Sequence, residues 1–172
     1  MDTSFCLTGR KLIPATVTKG GFTTPVWQQA LWKKGAFARK IRHNGCGHCC
    51  TAMAATLMGK KIDPYEEYML CRTLWGAPDE AREQDHFLSV GGIAQVLNHL
   101  GVKAHCFGAE NKEQSSHHIV EQLQEGKLVI LMADPFGEKN ACFSTGYHYV
   151  LLADLTDDGK ILVANSSKKG FT

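Results

Sequence analysis

Asn44-Gly45-Cys46-Gly47-His48-Cys49-Cys50 puts three thiols and an imidazole where the pattern predicts a loop ending and a buried helix beginning. Glycines on both sides of Cys46 allow tight backbone geometry and leave its sulfur approachable. The positive end of a helix favours thiolate over thiol, which lowers a cysteine pKa. Cys46 thus has the setting of a nucleophile near neutral pH, provided an imidazole joins it. The plainer alternative is a buried thiol at a helix start.

The imidazole comes from His148, one of eight histidines, in Gly146-Tyr147-His148-Tyr149-Val150. It opens an apolar strand behind a glycine-containing loop, a position from which a ring can enter a cleft on a rigid frame. Seventeen residues on, Asn165 closes the partner strand LVAN. A hairpin turning around Asp157-Asp158-Gly159 brings both residues to one open end. An amide oxygen there can accept from the imidazole and fix its tautomer. Taken singly, a strand-start His and a strand-end Asn are ordinary; with Cys46 they form a Cys–His–Asn set in chain order.

Two other chemistries compete for the same segment. Cys46-Gly47-His48-Cys49 has the spacing of a disulfide-exchange motif, but no βαβ pattern precedes it and no downstream proline sits before a strand as that fold requires. His43, Cys46, His48, Cys49 and Cys50 are dense enough to ligate zinc, yet no second pair stands at finger-like spacing, and Cys71 and Cys106 are isolated in the sequence.

Four motifs in order resemble the papain-like peptidases that process bacteriocin leaders, cysteine peptidase family thirty-nine and its stand-alone relatives. That family shows Gln, then Trp, then Gly-Cys-Gly-Pro-Thr-x-x-Ala-Met opening a helix, later Gly-His-Tyr-Val-Val and Val-Asn-Asp-Pro. This chain has Gln28 and Trp32, Gly45-Cys46-Gly47-His48 with Ala52-Met53, Tyr147-His148-Tyr149-Val150, and Val163-Ala164-Asn165-Ser166. Between them, LSVGGIAQVLNHLGVKA is similar to the family's glycine-opened helix and EGKLVILMA to its following strand. The resemblance runs from about Val26 to Ser166.

The resemblance implies a nucleophile at Cys46, a base at His148, an orienting group at Asn165 and an oxyanion donor at Gln28, with Gln29 its close rival. It implies a papain-like α+β fold, its helical front part carrying the nucleophile helix against a C-terminal antiparallel sheet. The expected activity is hydrolysis of a peptide or protein substrate through an acyl-enzyme, without cofactor or metal. The same site could serve deamidation or acyl transfer, and a non-catalytic member of the fold is the other class of reading. His48 stands where the family has Pro, Asn165 where it has Asp, and Ser166 is not the closing Pro.

These residues must be positioned by one domain. The 172 residues, 44% hydrophobic and 21% charged, exclude a disordered chain. Apolar runs such as Leu128–Ala133 are far short of a membrane span, and the opening residues lack an apolar core of signal-peptide length. Seven scattered cysteines, an odd number, point to a reducing, cytoplasmic setting rather than a disulfide scaffold, with secretion possible only through a signal already removed. Residues 1–61 carry ten Lys or Arg against Asp2 alone, and the remainder is net acidic. Without a basic-aromatic repeat or nucleic-acid motif, this reads as two halves attracting each other, not as a nucleic-acid surface.

The expected elements are an irregular arm over residues 1–26 and an unassigned stretch Trp27–Arg42. A helix follows from about Gly47 to Gly59, then one capped by Asp63 and running to about Trp75. A polar loop, Gly76–Ser89, leads to a helix over Gly91–Leu100 and a short one from Ser115 or Ser116 to Gly126. His117 and His118 fall at its exposed start. Strands are expected at Val102–Phe107, Leu128–Ala133, His148–Asp154 and Lys160–Ala164.

Overall fold

Two short antiparallel strands, β1 (Thr16–Lys19) and β2 (Phe22–Pro25), begin the part of the chain described by the computed structural model, residues 16–75, 89–133, 143 and 146–167. Their turn, Gly20-Gly21, lies at φ 57° and 82°, a conformation glycine adopts without Cβ strain. From Thr16 to Pro25 the expected irregular arm is therefore a hairpin, with Val17 and Thr24 facing inward and buried. Two glycines between β-branched residues are a hairpin signal in their own right. Lys19 fastens this hairpin to the main sheet, donating to the Ala153 carbonyl at 2.7 Å and pairing with Asp154 at 3.3 Å.

The stretch after it forms a 3-10 turn, Gln29–Leu31, and helix α1, Ala38–Asn44. Gly45 alone separates α1 from α2 (Cys46–Leu57). A Cβ on Gly45 would collide with the Ile41 carbonyl, so only glycine fits this joint. Every residue of α2 except Thr56 is buried, as befits a helix apolar on all sides. Helix α3 (Pro64–Leu74) starts with a full capping box: Asp63 accepts from the N–H groups of Tyr65 and Glu66, and Glu66 accepts from that of Asp63. Helix α4 (Val90–His99) is capped by Ser89; of the loop expected before it, residues 76–88 lie outside the described residues.

Helix α5 (Lys112–Gln124) begins earlier than expected because Asn111, not Ser115 or Ser116, accepts from the Gln114 N–H as its cap. His117 and His118 consequently lie in the body of the helix, where His118 stacks on Phe107 at 3.8 Å. Val102–Phe107 is not a strand. The Asn98 side chain takes both the N–H and the carbonyl of Ala104, at 3.1 and 2.7 Å, and ties the segment to α4 instead of the sheet.

The chain finishes in an antiparallel sheet of β3 (Val129–Ala133), β4 (His148–Leu155) and β5 (Ile161–Asn165), with β4 in the middle. Gly159, at φ 76°, closes the β4–β5 turn and sets Val150 opposite Asn165. Tyr149, Leu151 and Ala153 of β4 join the core built around α2, while Val150 and Leu152 pack with Leu123 of α5. The architecture is α+β, helices leading and sheet closing, with α2 laid against β4. Among the described residues no helix is long and apolar enough to cross a membrane.

Candidate functional site

His148 begins β4 and Asn165 ends β5, and the hairpin register brings His148 Nε2 to 2.8 Å from Asn165 Oδ1. The Asn165 amide has its orientation set from the main chain: Nδ2 donates to the Phe143 carbonyl at 3.3 Å and Oδ1 accepts from the Ser167 N–H at 2.9 Å. Oδ1 is therefore an acceptor towards His148, so Nε2 carries the proton and Nδ1 keeps its lone pair. Burial moves the imidazole pKa down, and the Asn165 bond only partly offsets this, which favours the neutral ring.

Cys46 is the first residue of α2 and is buried; backbone N–H groups of Tyr149, Gly47 and Cys46 itself act to lower its thiol pKa. Tyr149 follows His148 directly, so the strand start that carries the imidazole also passes close to Cys46. The expected lowering of the Cys46 pKa is reversed. Burial pushes the thiol up, and the three N–H groups do not overcome it. Nor does α2 emerge from a loop: Gly45 N–H bonds the Ile41 carbonyl at 2.9 Å, so the negative end of α1 abuts the positive end of α2 and opposes its field.

Gln28 and Gln29 both brace the end of β5. Gln28 Nε2 donates to the Asn165 carbonyl at 3.2 Å, which leaves its second amide hydrogen for another acceptor. Gln29 accepts from the Ser166 hydroxyl at 3.2 Å, and its N–H donates to the Ser166 carbonyl at 3.0 Å. Gln28 thus engages the strand end through its amide nitrogen and Gln29 through its amide oxygen, so each keeps an amide N–H for a further acceptor.

The Cys46-x-x-Cys49 pair follows helix α1 rather than a strand, and Cys49 is wholly buried, with burial pushing its thiol well up. Nor does the rival zinc set gather as the sequence listed it. His48 turns into the α2–α3 interface, where its Nδ1 bonds Glu67 Oε2. Cys71 donates to Glu67 Oε1 at 3.2 Å, and its sulfur lies 4.0 Å from His48 Nδ1. Sequence reasoning missed this group by treating Cys71 as isolated. The available signal was Glu67 and Cys71 four residues apart, on one face of α3.

A groove of about 590 Å³ runs between α4, α5 and β3; it is lined by Tyr149 but not by Cys46, His148 or Asn165. No protein-family model matches the chain, and no curated protein and no solved structure was found to match it.

Proposed function

We propose that the chain is a papain-like cysteine hydrolase whose leading activity is cleavage of peptide bonds. The reading is carried by one observation: His148 Nε2 is bound to Asn165 Oδ1 at 2.8 Å at the strand start whose next residue, Tyr149, lies close to Cys46. With Nε2 protonated, Nδ1 is the acceptor available to a thiol. Cys46 starts as a thiol, because burial disfavours its anion, and His148 starts neutral. Attack on a carbonyl carbon then proceeds with transfer of the thiol proton to His148 Nδ1. The Cys46 N–H and the Gln28 amide serve the developing oxyanion. The imidazolium returns its proton to the departing amine, and water, deprotonated by the same ring, releases the acyl group. Asn165 orients the ring throughout and carries no charge itself.

The test is incubation of the full chain with a peptide library, read by mass spectrometry against Cys46→Ala. Cys46-dependent cleavage supports the proposal. A gain of about one mass unit at glutamine, also Cys46-dependent, moves the assignment to a deamidase of the same fold. No Cys46-dependent product, together with Cys46 alkylation unaltered by His148→Ala, overturns it.

A further inference from the structure

We propose that His48, Glu67 and Cys71 form a site for one zinc-type divalent cation that clamps α2 to α3. This does not depend on the hydrolase reading. An imidazole nitrogen, a carboxylate and a thiol are the donor types zinc takes. Their ligating atoms all lie within 4.8 Å of one another, and all three residues are buried. With zinc bonds of about 2.0–2.3 Å, neighbouring ligands of a tetrahedral site stand about 3.3–3.8 Å apart. Cys71 Sγ stands 3.2 Å from Glu67 Oε1 and 4.0 Å from His48 Nδ1, on either side of that span, while the shorter His48 Nδ1–Glu67 Oε2 hydrogen bond opens to admit the cation.

Without a cation, one carboxylate serves both donors: His48 Nδ1 on Oε2 and Cys71 Sγ on Oε1. Glu67 is fully buried, so an ionised carboxylate there requires compensating charge. A dication supplies it. Cation binding releases the Cys71 thiol proton to solvent and, from a protonated His48, a second proton. A neutral His48 instead shifts its proton from Nδ1 to Nε2. The resulting thiolate, carboxylate and neutral imidazole balance the two positive charges. The Tyr68 ring meets the His48 ring edge-on at 5.1 Å, and Phe37 packs on Tyr68, which gives the site an aromatic wall on that side. The fourth position falls to a solvent oxygen.

The full chain, equilibrated with zinc and gel-filtered, should retain about one zinc per chain. Its X-ray absorption should show a single sulfur among nitrogen and oxygen neighbours. Cobalt in place of zinc should give a sulfur-to-metal charge-transfer band that disappears in Cys71→Ser and persists in Cys46→Ala. Zinc content well below one per chain overturns the site. So does a shell with no sulfur or several sulfurs, which would place the metal elsewhere or on the Cys46–Cys49 segment. If Cys71→Ser fails to fold, the wild-type stoichiometry and sulfur count decide.

Discussion

His48 and His148 are equally buried, each 4% exposed, yet their partners differ in kind. His148 meets an amide held by the main chain, whereas His48 meets a carboxylate shared with a thiol. An amide fixes a tautomer without supplying charge, so the His148 ring stays neutral and free to take a proton. A carboxylate adds charge to a closed place, which suits a clamp or a cation. The partner, not the depth of burial, distinguishes the two imidazoles, and it is what suits His148 to the proposed role of proton carrier.

Activity should break along that line first. Cys46→Ala is expected to remove turnover and His148→Ala to reduce it about 10²–10⁴-fold, measured on the best library peptide. Glu67→Gln, if folded, should change kcat far less. A loss equal to that of His148→Ala would show that the two regions act as one.

Gln28→Ala should cost about 10²–10³ in kcat through the lost oxyanion donor, with Gln29→Ala affecting mainly stability. The reverse pattern would exchange their roles.

Stability should divide the regions the other way. Glu67→Ala removes the carboxylate that two buried groups share and should cost about 3–5 kcal/mol in urea denaturation. Asn165→Ala leaves one buried ring N–H without its acceptor and should cost about 1–3 kcal/mol.

The smallest effects concern pH. The folded pKa of His148 lies below its ordinary 6.5, so the neutral ring's contribution is present above that value and is lost as pH falls through the folded one. The urea midpoint should decline with acid in that window, and less steeply in His148→Gln. Asn165→Asp would give His148 a carboxylate partner like that of His48, which favours the charged ring and should raise its NMR titration midpoint. An unchanged midpoint would mean that the partner's charge is not what distinguishes the two histidines.

Local chemistry made much of this legible in advance. Asp63, Pro64 and Glu66 announce α3 through caps that need nothing outside four residues. Asp157-Asp158-Gly159 announces the turn that brings the start of β4 beside the end of β5, where a bulge between Leu152 and Asp154 shifts the pairing and sets Val150 opposite Asn165. Features that depend on distant partners were not legible. Val102–Phe107 has strand-like residues, but Asn98 takes its pairing groups. The thiol at Cys46 lies at a helix start, but its pKa follows the burial that β4 and α1 impose from elsewhere in the chain. Glu67 lies in the first turn of α3, and its burial against His48 depends on α2.

The hairpin also sets an order of assembly. His148 and Asn165 are joined by one tight turn and can find each other as soon as both are made, whereas Cys46 precedes them by about a hundred residues and must close a long loop. At synthesis rates of about 5–20 residues per second, the thiol precedes its base by roughly 5–20 s. Throughout that interval the nascent chain carries Cys46 without His148, the base the proposed chemistry needs. On the proposed hydrolase reading, chemistry becomes possible only when β4 and β5 pair, so completion of the fold would itself be the activation step.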